Sequence, residues 1–258
     1  MAASPLISCG RLEPSATHPV SAIQTDPTRM TASERRASVS LALIFALRML
    51  GLFIVLPVFA LEAQRYPGGD DAALVGLAMG VYGLSQALLQ IPFGMASDRL
   101  GRKPVILAGL ALFALGSGIA VWAPSVQWLI AGRAIQGAGA ISAAVTALIA
   151  DSTRDSVRTK AMALVGVSIA LMFALSLVLS PLLAEQIGLR GLFGLTTALA
   201  LAGMAIVVWV VPAEPGLRRD PGRGGLRQVL LHPGLLRLDF GVFTLHAVQL
   251  ALWMAVPA

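Results

Sequence analysis

This chain of 258 residues has little charge: Asp, Glu, Lys and Arg make up 12% of it. A soluble domain carries about a quarter. There is one cysteine, Cys9, which excludes an intramolecular disulfide and any metal site built from several thiolates. Asparagine is absent, so there is no N-glycosylation sequon. His18, His232 and His246 are too scattered to share a metal, and no metal or cofactor is expected. No phosphate-binding loop is present, so ATP hydrolysis by this chain is not expected. An intramembrane protease needs a nucleophile and a base at matching depth. The pattern Gly-x-Ser-Gly is missing, and His246 is the only histidine inside an apolar run, so an enzyme of that kind is not expected either.

What the chain does have is apolar sequence: 57% hydrophobic residues and a mean hydropathy of +0.80. That excess must face something other than water, which makes the chain a polytopic membrane protein in contact with the lipid bilayer. Six apolar runs, at 39–61, 73–96, 104–123, 127–150, 161–184 and 191–211, each approach the length that crosses a bilayer. About 20 residues span about 30 Å of hydrocarbon. Backbone groups in lipid must bond within their own segment, so these runs are helices and the fold is all-α. Thr31 and Glu34 form a capping box that opens the first helix. Pro104 suits a first helical turn, while Pro57, Pro92 and Pro181 lie near helix ends and are expected to bend them.

These runs give four regions. Residues 1–37 form a polar, proline-bearing disordered tail, and 38–211 a bundle of six transmembrane helices. Residues 212–238 form a basic linker with a short surface helix at 226–231. Residues 239–258 begin a seventh transmembrane helix, and the sequence stops inside it, so a longer protein is expected.

The net charge of +6 could suggest nucleic acid, but its distribution says otherwise. If six helices alternate, fifteen Lys and Arg residues fall on one side: four in the tail, three at Arg99, Arg102 and Lys103, three at 154–160, and five in the linker. The other side holds only Arg65 and Arg190. The positive-inside rule puts the tail, and the loop after the second helix, in the cytoplasm, with no nucleic-acid partner needed.

Two charges, Arg48 and Arg133, lie well within the spans, whereas all thirteen carboxylates lie outside them or at their ends. A charge at mid-depth costs about 2.5–3.5 kcal/mol on insertion scales. Three arrangements would offset this. The arginines could meet backbone carbonyls and polar groups such as Gln86, Gln90 and Gln136. They could line a cavity for an anionic or proton-linked group. They could pair with an acid beyond this sequence. Small residues let helix backbones approach closely, so Gly76, Gly80, Gly137 and Gly139 are candidate packing contacts.

The turn between the second and third runs reads Gly94-Met95-Ala96-Ser97-Asp98-Arg99-Leu100-Gly101-Arg102-Lys103-Pro104. Its spacing, Gly-x-x-x-Asp-Arg-x-Gly-Arg-Lys, resembles the signature loop of the major facilitator superfamily. Arg133-Ala134-Ile135-Gln136-Gly137 resembles that superfamily's motif in the fourth helix. The stretches 48–57, 90–94 and 158–163 are most similar to the YajR-like branch of bacterial proton-driven efflux proteins.

The resemblance implies the N-terminal six-helix bundle of a twelve-helix inner-membrane carrier, a 3+3 inverted repeat, with the C-terminal six-helix half missing. It implies a small-molecule substrate exchanged for protons, with Arg133 in proton coupling. It also implies that Gly94, Asp98, Arg99, Gly101, Arg102, Lys103 and Asp151 form a cytoplasmic gating cluster. Arg48 and Gln136 join Arg133 as cavity candidates. The fragment alone is expected to be inactive. The fifth helix only partly resembles the antiporter motif: Ser180 stands where a glycine precedes the proline, and Pro181 is kept as a packing position. Uptake by symport and a non-transporting receptor or scaffold are therefore alternatives. A repeat is also visible: Asp98-x-x-Gly101-Arg102 follows the second helix and Glu185-x-x-Gly188-x-Arg190 the fifth.

Overall fold

The computed structural model describes residues 29–212 and 232–255. Cys9 and the expected surface helix at 226–231 lie outside the described residues. The helices are α1 Ala32–Phe53, α2 Leu56–Ala63, α3 Ala72–Leu100, α4 Arg102–Val121, α5 Val126–Ala138, α6 Ser142–Ser152, α7 Asp155–Trp209 and α8 Pro233–Ala255. They fall into two units, one holding α1 to α7 and the other α8.

α1 starts at the capping box, so residues 32–37, expected in the disordered tail, are helical, as are residues 233–238, expected in the linker. Glu34 N donates to Thr31 Oγ1 at 3.3 Å, and Thr31 N donates to the Glu34 carboxylate at 2.8 Å. The first span breaks at Ile54 and Val55, and Pro57 sits in the first turn of α2, where its missing N–H has no helical partner to lose. α1 and α2 together make one crossing, and α5 and α6 make another with a break between Gly139 and Ile141. Pro92 and Pro181 do not end helices. Both lie inside them, in α3 and α7, on exposed faces.

α7 is two crossings joined at Gly188, which adopts φ 62°, ψ −175°. Its bonds to α1 reveal the reversal. Ser168 Oγ donates to the Ala42 carbonyl and Ser180 Oγ to the Ile54 carbonyl, so the first half of α7 runs parallel to α1. Thr196 Oγ1 donates to the Gly51 carbonyl and Arg36 Nε to the Val210 carbonyl, so the second half runs antiparallel. The result is an all-α six-span bundle. The two echoed glycines, Gly101 and Gly188, both have positive φ and both turn the chain between crossings.

A side chain at Gly188 is strained, at a cost of about 1–3 kcal/mol. Gly188→Ala is expected to lower the unfolding midpoint in detergent. Gly166→Ala in the same helix, where an added Cβ meets nothing within 4 Å, should not. Equal midpoints for the two would mean that the turn is not held at Gly188.

One apolar core, around Leu41, Ile44, Ile106 and Leu148, fills the end of the bundle that carries the basic loops. A second, around Ile54, Phe59, Leu129 and Phe193, fills the opposite end. Between them lies a smaller cluster of Leu52, Tyr82, Phe113 and Ala200. Helices close around this middle layer through glycine. A Cβ on Gly116 would strike the Gln136 amide, one on Gly139 the Gly109 carbonyl, and one on Gly137 the Tyr82 carbonyl.

The packing role read for Gly76 and Gly80 is not used within this bundle, because a Cβ at either meets nothing within 4 Å. Nor does Pro181 pack: it is exposed, and the contact with α1 comes from Ser180 beside it. Both differences have one cause. A helix that is apolar all round does not announce which side its neighbours occupy.

Candidate functional site

At the basic end, Arg102 opens α4 immediately after the positive-φ Gly101. Its side chain is nearly buried and holds two acids at once. Nη1 reaches Asp98 Oδ1 at 2.6 Å, and Nε reaches Asp151 Oδ2 at 3.1 Å. Nη1 also donates to Ser97 Oγ at 2.7 Å, and Ser97 Oγ donates to the Gly94 carbonyl at 2.8 Å. One planar fork thus ties the end of α3, the start of α4 and the end of α6, a geometry that lysine cannot match.

Lys103 Nζ donates to the Val211 carbonyl at 2.7 Å, just past α7, where cations meet the unpaired carbonyls of a helix end. Arg99 is exposed and stands outside the fork. Gly94 makes only ordinary contact here, since its Cβ would lie 3.6 Å from that of Ala143.

A second tie at this end was not visible beforehand. Glu34, buried at the start of α1, receives Arg154 Nε at 2.8 Å and Arg154 N at 3.1 Å. The Glu34 carboxylate raises the pKa of the Arg154 guanidinium above its ordinary value. The capping box was the only sequence signal pointing to Glu34.

In the middle layer, Arg48 and Arg133 are each 1% exposed. Arg48 Nη2 donates to Tyr82 Oη at 3.2 Å and to the Gly139 carbonyl at 3.1 Å. Arg133 Nη1 donates to Gln136 Oε1 at 2.8 Å, and Gln136 Nε2 donates to Ser117 Oγ at 2.8 Å. The Arg133 guanidinium lies 4.7 Å from the centre of the Tyr82 ring, and that of Arg48 lies 5.4 Å from Phe113. Aromatic faces at this range attract a cation.

The structure therefore brings Arg48, Arg133 and Gln136 into one network. Gln86 and Gln90 supply no hydrogen bond to either arginine among the described residues. Tyr82 joins the two arginines and was missed. Its one sequence signal was a hydroxyl set mid-span in an apolar run, where a buried tyrosine needs a partner. Among the described residues, no group of three His, Cys, Asp or Glu side chains could hold a metal. An open apolar groove edged by Trp122 and Trp128 shares no residue with either cluster.

Residues 41–258 match the family model of the Major Facilitator Superfamily. The chain is 48% identical over 233 residues to the inner membrane transport protein YajR of Escherichia coli, covering 89% of this chain and 51% of that protein. It is 34% identical over 128 residues to the class G tetracycline resistance protein of Vibrio anguillarum, covering 49% of this chain and 33% of that protein. Among solved structures, the human organic anion transporter MFSD10 superposes with a TM-score of 0.62 at 23% identity, over 72% of this chain and 50% of that one. The chain spans about half the length of the curated relatives it matches. By its matched sequence, its six-span all-α bundle and the two clusters those helices assemble, this multi-pass membrane chain belongs to the major facilitator superfamily, with transporters of the YajR type, and not enzymes, as its relatives.

Proposed function

We propose that this chain is the N-terminal lobe of a secondary transporter that exports a small molecule in exchange for protons by alternating access. The observation that carries the reading is the Arg102 fork, which joins three helices at one end of the bundle through two half-exposed acids. A latch of this kind can stabilise one state of a rocking carrier and be released by protonation or by loss of a partner. The tetracycline and multidrug resistance proteins among its relatives support export. The charge asymmetry supports a cytoplasmic position for the fork and the N-terminus, and the Escherichia coli relative supports an inner membrane.

The exposed apolar side chains Leu77, Leu84 and Leu88 of α3, and Val167, Leu171 and Val178 of α7, are read as the seat of a second six-helix half. Gly76 and Gly80, open on this bundle, would then pack there. One observation favours symport as a second reading: Ser180 stands where antiporters place glycine, and its hydroxyl binds the Ile54 carbonyl at 2.6 Å.

Everted vesicles holding the protein as its gene encodes it should take up a drug substrate when a proton gradient is imposed. Asp98→Asn and Arg133→Ala should each lower that uptake by about tenfold or more, a barrier change of about 1.4 kcal/mol. Wild-type rates in both variants would remove the roles assigned to these residues.

A further inference from the structure

Among the described residues, the middle layer contains more positive charge and more donors than its own groups satisfy. Nε and Nη1 of Arg48 and Nε of Arg133 are buried without a hydrogen-bond partner. The ion-paired carboxylates lie elsewhere: Asp98 and Asp151 on Arg102, Glu34 on Arg154, Asp155 on Arg158, and Glu62 on Arg65. All of these sit toward the ends of the crossings. A neutral ligand could accept the orphan N–H bonds but would leave both charges uncompensated. A cation would add a third. An oxyanion accepts the bonds and balances the charge together.

Two further features fit such a ligand. The helix is interrupted between α5 and α6, and the interruption leaves the Gly139 carbonyl facing Arg48. Non-helical backbone at membrane depth survives where it is buried or lines a cavity. The buried Phe59, Tyr82 and Phe113 rings flank the guanidiniums and make the surroundings of the orphan donors apolar, where a charge-assisted hydrogen bond is strong.

We propose that Arg48 and Arg133, with Tyr82 between them, bind the oxyanion group of a small organic solute: a carboxylate, sulfonate or phosphate. The Tyr82 hydroxyl accepts from Arg48 and keeps its own proton to donate to the anion. This assigns a substrate class to the transporter described above and rests on that reading.

The test is thermal unfolding of the detergent-purified full-length protein, at constant ionic strength, with sodium benzoate, sodium benzenesulfonate, phenyl phosphate, benzyl alcohol and benzylamine. A saturable rise in midpoint with at least one of the three anions, and none with the alcohol or amine, is expected. Arg48→Gln should abolish the rise, and Tyr82→Phe should move its half-saturation to higher anion concentration. Arg65→Gln, at an exposed pair on the opposite end, should leave it intact. The proposal is overturned if no anion shifts the wild type, or if the shift persists unchanged in both Arg48→Gln and Tyr82→Phe. Should Arg48→Gln fail to fold, the wild-type series and Tyr82→Phe still decide. The two readings fail separately: proton-driven uptake of a cationic dye without any anion response sinks the site and leaves transport standing. An anion response without proton-driven flux of any substrate does the reverse.

Discussion

Gly116→Val is expected to prevent the bundle from assembling. Gly116 on α4 lies against α5 at their crossing, and an added Cβ would strike the Gln136 amide and stand 2.7 Å from Gln136 Cα. The contact is reciprocal: a Cβ on Gly132 would stand 2.8 Å from the Gly116 carbonyl and 3.2 Å from the Ala120 amide. These are backbone atoms of packed helices, so no rotamer change can relieve them; the helices must separate. Overpacking of this kind costs about 1–3 kcal/mol, and more when backbone is what yields. Separation would also pull Gln136 from Ser117 Oγ, now 2.8 Å away, and so loosen the partner of Arg133. The control is Gly118→Val, two residues along the same helix, where an added Cβ meets nothing within 4 Å. Size-exclusion profiles and unfolding midpoints in detergent should show Gly116→Val aggregated or strongly destabilised and Gly118→Val close to wild type. Similar behaviour of the two would refute the crossing as described.

In the full-length carrier proposed above, Arg102→Ala should leave the bundle folded and remove most of the transport. The Asp98 and Asp151 side chains are 44% and 43% exposed, so water re-solvates them when the guanidinium is lost. Half-exposed pairs contribute little stability, about 0–1 kcal/mol each. A state equilibrium needs only a few kcal/mol of bias, however, and the fork couples α3, α4 and α6 through a single side chain. Proton-driven substrate uptake in vesicles should fall by about tenfold or more, or about 1.4 kcal/mol. Arg102→Lys should recover only part of it, because a single ammonium cannot present two nitrogens to two acids and a third donor to Ser97. Arg99→Ala, next to the acid but exposed, should behave like wild type. Full transport by Arg102→Ala would mean that the cluster is a static surface feature.

The residue pairs differ sharply in how legible they were beforehand. Asp98 and Arg102 are four apart, and their pairing follows from local spacing. The Thr31–Glu34 box follows from the same kind of rule. Arg102 with Asp151, 49 residues on, came into view only through a family resemblance, and Glu34 with Arg154, 120 apart, not at all. For the arginines, the apolar runs set a mid-span position but not the partners. Gln136 was legible among the possible partners, and Tyr82, whose ring and hydroxyl meet both guanidiniums, was overlooked.

The sequence by itself determined the number of the crossings, the end at which positive charge gathers, the mid-span positions of Arg48 and Arg133, and the turns at Gly101 and Gly188. Each of these depends on hydrocarbon thickness, local spacing or backbone conformation, which act along the chain. Tertiary structure alone decided the rotation of each helix about its axis: Gly116 and Gly132 packed, Gly76 and Gly80 open, Pro181 outward, Tyr82 between two arginines. Lipid and protein interior are alike apolar, so the faces of these helices carry little amphipathic contrast, and only the contacts between helices fix which side turns inward.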